Sequence, residues 1–283
     1  MAKSSRSKAL AQFWTPPAVA EFMLEIVQFD PLWKVIDPAC GEGVFLQKAA
    51  ERGAGALAGV DIDPNALERA KQALHPYGER VRLYCQDGLQ PIDDPNPFWR
   101  GEYDLVIGNP PFAATGYRIH DPRILQRFEL SSEPIDEPTD EPDEQGQLFE
   151  YREPRRRRKS AVAIEILYLE RFSQLCRHGG RICIILPDGV LANRNTRYVR
   201  QWILQHHHVY AVISLPRNTF KGVETSAKTS ILVLQKGRFY EKRGAHMMIL
   251  EQVNPDAPFD RESNPELVSA ASALRKWLQF APC

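Results

Sequence analysis

The chain has 283 residues, 43% of them hydrophobic, which suffices for one large domain with a sizeable core. Lys plus Arg and Asp plus Glu each number 36, so formal net charge is zero and a uniformly basic surface, the ordinary source of nucleic-acid affinity, is excluded. No run of about 18 apolar residues occurs and the first residues lack an apolar signal core, so a cytoplasmic chain without a membrane span is expected.

In chain order, Phe13, Trp14, Thr15, Pro16 and Pro17 lead into a helical pattern over about 18–28, with Thr15 as N-cap and both prolines in the first turn. A strand over 35–37 runs through Pro38-Ala39-Cys40-Gly41-Glu42-Gly43 into a helix over 44–52. A strand over 57–63, a helix over 64–74 and a strand over 81–84 follow, with Asp87 beyond the last strand's tip. Leu105, Val106 and Ile107 form a short apolar run of the kind shown by a buried parallel strand, ended by Gly108. Beyond a polar stretch come a helix over 161–176, strand 181–186, helix 196–206, strands 209–215 and 230–235, and a last helix over 265–280. This alternation predicts an α/β fold, doubly wound around a mostly parallel, seven-stranded, Rossmann-like sheet whose ligands sit beyond the strands' carboxyl ends. Three segments are expected: 1–32 with an N-terminal helix, 33–250 as the catalytic domain, and 251–283 as a tail with a helix.

The five cysteines (Cys40, Cys85, Cys176, Cys183, Cys283) show no C-x-x-C spacing and read as reduced thiols, mostly in the core. His206-His207-His208 has no carboxylate pattern nearby and reads as a partly solvated helix end, so no metal is expected. Trp14 reads as a core aromatic.

Asp37, Gly41, Gly43, Asp61 and Asp87 all fall at strand ends and can converge on one crevice. Glycines let the backbone approach a ligand, and an acid about twenty residues past the glycine turn, here Asp61, is placed to take ribose hydroxyls. Leu46 occupies the position of the third glycine in a dinucleotide fingerprint, and Asp37 with Glu42 would repel a pyrophosphate. A ligand with a ribose, an amine and a positive charge suits the pocket better, and S-adenosyl-L-methionine is such a ligand. Asn109-Pro110-Pro111-Phe112 follows the apolar strand: the prolines give no N–H, so the loop offers carbonyl and amide acceptors for an NH2 group, with Phe112 as a flat face for a planar ring. Taken singly, each motif has a plainer reading, as a rigid loop, a capping turn or a solvated strand end.

Together, FWTPPAVAEFM, DPACGEGVFL, GVDIDP, CQDGL and NPPF, in this order, resemble the amino-methylating DNA adenine methyltransferases, especially the modification subunits of type I restriction systems. The resemblance covers roughly residues 12–116 and 161–236. It implies an S-adenosylmethionine-dependent fold and transfer of a methyl group to N6 of a flipped adenine in DNA. It further implies that Thr15, Asp37, Ala39, Gly41, Gly43, Asp61, Ile62 and Asp87 contact the cofactor. Asn109, Pro110 and Pro111 would hold the target amine, and Phe112 and Phe220 would stack on the base. Alternatives are a methyltransferase acting on a protein glutamine or an RNA base, and an inert scaffold of the same fold.

Residues 129–159 are acidic and proline-rich and end in Arg155-Arg156-Arg157-Arg158-Lys159, which predicts a mobile insertion, within about 117–160, beside the target pocket. One reading has the arginines grip phosphates after acidic residues have masked them; the other is a solvated insertion. Only about fifty residues follow Gln235, too few for a base-reading domain, so a separate specificity subunit or domain is expected to supply target recognition.

Overall fold

The structure is a computed structural model that describes residues 14–112, 117–135, 156–220, 228–237 and 244–278. Phe13, Arg155, Cys283, most of the acidic stretch and the expected end of the last helix lie outside the described residues.

Helix α1 is Pro17–Ile26, then come β1 (Lys34–Asp37), α2 (Val44–Glu51), β2 (Ala56–Asp61), α3 (Pro64–Leu74), β3 (Val81–Cys85) and β4 (Tyr103–Gly108). Short pieces follow: β5 (Arg118–Ile119), α4 (Pro122–Leu125), β6 (Ser132–Pro134), β7 (Arg156–Arg158) and β8 (Val162–Ala163). The chain then forms α5 (Ile164–Leu175), β9 (Cys176–Pro187), α6 (Asp188–Ala192), α7 (Arg197–His206), β10 (His207–Ser214), β11 (Thr229–Lys236), β12 (His246–Ile249) and α8 (Pro265–Trp277). Eight strands make the main sheet, in the order β12-β10-β11-β9-β4-β1-β2-β3. Every neighbouring pair is parallel except the two involving β11.

The sheet therefore has one strand more than the seven expected. The addition, β12, pairs only with β10, and Met247 and Ile249 on it are 80% and 71% exposed. A four-residue edge strand half open to solvent lacks the apolar run by which the buried strands are legible.

Side chains alternate across the central strands: Val35, Leu105 and Ile107 join one apolar layer, Ile36 and Val106 the other. The first layer is covered by α1, α2 and α8, the second by α5 and α7. The N-terminal helix and the C-terminal helix both contribute to this core. Gln28 Nε2 donates to the Leu278 carbonyl at 2.6 Å, and Arg275 pairs with Glu25.

Three further expectations change. The N-cap of α1 is Pro16, without a side-chain hydrogen bond, so Thr15 is not its cap. Cys40, Cys176 and Cys183 are buried, but Cys85 is exposed. His207 is buried rather than solvated: its Nε2 lies 2.8 Å from Ser173 Oγ, and burial pulls its pKa down to about 4. Among the described residues, no helix is long and apolar enough to cross a membrane.

Candidate active site

The chain winds β1, β2, β3 to one side and then returns to place β4 on the other flank of β1. This reversal of strand order opens a crevice at the carboxyl ends of β1 and β4, where Val35 pairs with Leu105 and Ile36 with Val106. Asp37 closes β1, and Asn109 follows β4 directly. The two strand ends fit only because residue 108 is glycine: a Cβ there would lie 2.6 Å from Asp37 Oδ1.

Asp37 is 1% exposed, and its Oδ1 accepts from the Ala39 amide at 3.0 Å. Burial drives its pKa up to about 8, opposed by that amide and reinforced by Asp61. Asp37 is thus an acid held largely protonated at neutral pH, which a cation in the cavity would ionise. Asp61 fixes the turn between β1 and α2: its Oδ2 accepts from the Gly41 amide at 2.7 Å and its Oδ1 from the Asp63 amide at 2.8 Å. Burial raises its pKa as well, against the pull of those backbone amides. Each oxygen keeps a second acceptor position.

Gly41 has φ of 53°, and a Cβ built on it meets nothing within 4 Å, because the space beside it is the cavity. Gly43, at φ 83°, caps α2, and its Cβ would sit 3.1 Å from Ala70 Cβ. It allows close packing of α2 on α3 and is not among the residues that line the cavity.

Asn109 Nδ2 donates to Thr15 Oγ1 at 3.1 Å, while Asn109 Oδ1 is buried with no hydrogen-bond partner among the described residues. The Thr15 hydroxyl, 4% exposed, therefore serves the Asn109 carboxamide and not the helix behind it. Such an orphaned acceptor is costly in a folded chain unless a ligand group satisfies it.

These groups face one cavity of about 300 Å³. Of the residues expected from the sequence, Thr15, Asp37, Ala39, Gly41, Asp61, Ile62, Asn109, Pro110 and Pro111 line it. Asp87, Phe112 and Phe220 do not. Asp87 Oδ1 accepts from the Leu89 amide at 3.1 Å and its carbonyl from the Gln90 amide at 2.8 Å, a turn beyond β3 at the same edge of the sheet. Phe112 is 2% exposed and packed in the core, so its ring offers no free face to an incoming base in this conformation. Phe220 is half-buried against the same layer.

Among the cavity residues that the sequence does not point to are Trp14, Tyr168 and Arg69. Trp14 is 59% exposed and lines the cavity, contrary to its expected place in the core. Tyr168 enters from the middle of α5, where an aromatic among Leu and Ile carries no signal of its own. Arg69, on α3, reaches the rim and pairs with Glu42 at 2.7 Å. Ala66, three residues earlier on α3, lines the cavity too, so the i, i+3 spacing puts both residues on the face toward the glycine turn.

Two curated relatives frame the chain. It is 34% identical over 125 residues to the type II methyltransferase M.TthHB8I of Thermus thermophilus, covering 41% of this chain and 26% of that protein. It is 23% identical over 256 residues to the type I restriction enzyme EcoEI methylase subunit of Escherichia coli, covering 81% of this chain and 44% of that one. The chain thus spans less than half the length of either relative. Among solved structures, a chain described as a class I S-adenosylmethionine-dependent methyltransferase from Listeria monocytogenes superposes with a TM-score of 0.67 at 19% identity, over 94% of this chain and 72% of that one. The type I restriction enzyme EcoKI M protein superposes with a TM-score of 0.58 at 15% identity, over 91% and 55%. At such identities these two establish the fold alone. The family model described as N-6 DNA Methylase matches residues 1–267, and the chain belongs to that family.

Proposed function

We propose that this chain transfers a methyl group from S-adenosyl-L-methionine to the exocyclic N6 amine of an adenine in DNA. The observation that carries the reading is Asn109 Oδ1, unpartnered among the described residues, in a cavity shared with a buried acid, Asp37, and a half-buried one, Asp61.

The donor set fits the cofactor. Asp37 is the partner for its ammonium, Asp61 for its ribose hydroxyls, and the open side of Gly41 leaves room for its backbone-hugging portion. Bound there, the cofactor would supply an electrophilic methyl whose leaving group is a neutral thioether, and the proton given up by the methylated amine would pass to solvent. The protein's work is at the other reactant. An adenine amine is a poor nucleophile because its lone pair is delocalised into the ring. Asn109 Oδ1 and the Pro110 carbonyl accept its two N–H groups, and the lone pair is thereby released from the ring plane. Holding both reactants in one small cavity supplies the rest. The base must leave its duplex to arrive, at a cost of a few kcal/mol. Trp14 offers the exposed aromatic face at the cavity, and Phe112 would have to leave the core to add a second.

Target choice is assigned to a specificity subunit or further domain, in a restriction-modification or phage-defence setting, because a chain of zero net charge is poorly equipped to hold DNA by itself.

The test is transfer of labelled methyl from S-adenosylmethionine to unmethylated genomic DNA, followed by nucleoside analysis, with Asn109→Ala as control. Labelled N6-methyladenine that disappears in the variant is expected. Label appearing in RNA or protein, and none in DNA, would overturn the choice of acceptor.

A further inference from the structure

The two ends of the arginine-rich insertion are built into the fold. Strands β6 and β7 pair antiparallel, Ser132 with Arg158 and Pro134 with Arg156. The turn ahead of β6 is fixed by the buried carboxylate of Glu170 on α5, which accepts from the Glu129 and Leu130 amides at 2.8 and 2.7 Å. Trp202 Nε1 on α7 donates to Glu129 Oε2 at 2.9 Å. The mobile loop expected over 129–159 is therefore, at both ends, an ordered ribbon resting on α5 and α7.

This ribbon carries four consecutive cations, and two acids of the same ribbon hold three of them. Arg156 Nη1 pairs with Glu129 Oε1 at 2.8 Å, and its other nitrogens bond Ser132 Oγ and the carbonyls of Glu129 and Ser132. Glu133 takes Arg157 at 2.6 Å on one oxygen and Lys159 on the other. The Lys159 ammonium also lies 4.6 Å from the Tyr198 ring centroid. The Arg158 side chain makes none of these pairs and is exposed. Arg118 and Arg194 are exposed too, and Arg118 and Arg156 both lie close enough to Tyr198 to act on its hydroxyl electrostatically. Arg118 belongs to β5, which follows the Asn109–Phe112 loop and pairs with β8, just beyond the ribbon. In a chain of zero net charge, this is a local concentration of positive charge on strands that follow the Asn109–Phe112 loop in sequence.

We propose that the β6–β7 ribbon is a phosphate-binding surface for duplex DNA and that Glu133 is its latch, released when backbone phosphates replace the carboxylate on Arg157 and Lys159. Anionic oxygens of a phosphate match the two donors that Glu133 occupies; the Arg157 side chain is 73% exposed and exchanges first, whereas Lys159 and Glu133 are 23% and 24% exposed and Lys159 follows once Arg157 has let go. Arg156 stays as the anchor, because its bonds to backbone carbonyls hold the ribbon together. The proposal rests on a nucleic-acid acceptor as read above.

The distinguishing variant is Glu133→Gln. A plain structural salt bridge predicts unchanged or weaker DNA binding when it is broken; a latch predicts tighter binding, because two cations are freed. We expect Glu133→Gln to tighten binding of a labelled 20-base-pair duplex several-fold at low salt and to steepen the salt dependence. Arg157→Ala and Arg158→Ala should each weaken it several-fold and make the slope of log K against log salt shallower by about one. Thermal melting confirms that each variant is folded, and Arg158→Ala, on an exposed side chain, remains informative should Glu133→Gln fail to fold. Unchanged affinity and slope in folded variants would overturn the proposal, as would an acidic phosphate-free peptide binding as tightly as the duplex. Binding is read without turnover: ribbon-dependent DNA binding without methyl transfer would sink the reaction and spare the ribbon, and the reverse result would do the opposite.

Discussion

Two carboxylates of this chain, Asp37 and Glu133, are held in opposite states by opposite means. Asp37 lies at the end of β1 with one backbone amide and no cation, and burial lifts its pKa to about 8. Glu133 lies on an open ribbon between Arg157 and Lys159, and these two partners hold its carboxyl below the usual range. In the cavity, Asp37 has no cation among its described neighbours, since the one at the rim, Arg69, is paired with Glu42, and a ligand's cation would ionise it. The ribbon is a site already supplied with an anion, which a competing anion must displace. The first should bind more tightly than its exposed area suggests and depend on pH; the second should bind weakly and depend on salt.

Removing the acid at Asp37 tests the first half most severely. Asp37→Asn keeps the shape and loses the charge, so S-adenosylmethionine affinity should fall by about 100-fold or more, while the unliganded protein becomes more stable at pH 8, by roughly 1 kcal/mol or more. The direction follows from the raised pKa. The folded chain keeps a proton that the unfolded chain gives up, so the contribution of Asp37 to stability is full below about pH 4 and is lost as pH rises through about 8. Cofactor binding at pH 7 should release a proton, and affinity should climb between about pH 6 and 8. Calorimetry in two buffers of different ionisation enthalpy measures the proton directly; a flat pH profile would remove Asp37 from the ammonium site.

Next in size is the hydrogen bond from Asn109 to Thr15. Thr15→Val preserves the volume and deletes the hydroxyl, removing the carboxamide's one side-chain hydrogen bond among the described residues. The turnover number should fall about 10-fold to 100-fold with little change in cofactor affinity, and Thr15→Ser should recover most of it. Loss of cofactor affinity in step with turnover would return Thr15 to a cofactor contact only. Gly43→Ala addresses the scaffold: with φ at 83° and Ala70 3.1 Å away, it should cost about 1–2 kcal/mol in a denaturant melt. A neutral result would mean that α2 and α3 can separate at no cost.

The same contrast explains what the sequence disclosed. The cavity was largely legible because its parts are local: a strand, a glycine turn and an acid at the next strand's end are each written in a few adjacent residues. Trp14, Tyr168 and the Thr15 hydroxyl were not legible, since an aromatic or a hydroxyl near a helix start has a commoner use in packing or capping, and only the return of the chain at β4 brings Asn109 to Thr15. The ordered ends of the ribbon were not legible, for the converse reason. Composition averaged over 129–159 reads as unable to order itself, yet the residues that order its ends, Glu170 and Trp202, lie on helices far along the chain.

That dependence supplies the finest test of the two regions' independence. Glu170 is buried, and its two oxygens take two backbone amides at the foot of the ribbon. Glu170→Gln keeps the volume but turns one acceptor into a donor facing an amide, so about 1 kcal/mol should be lost there. Amide exchange at Glu129 and Leu130 should then speed up about fivefold, and duplex affinity should fall by a factor of about two. The Ala39 amide, which bonds Asp37 at the cavity, should exchange at its original rate, because no bond of Glu170 reaches that turn. Acceleration at Ala39 equal to that at Leu130 would show that the cavity and the ribbon open as one cooperative unit, and the salt-sensitive and pH-sensitive sites could then not be treated as separate devices.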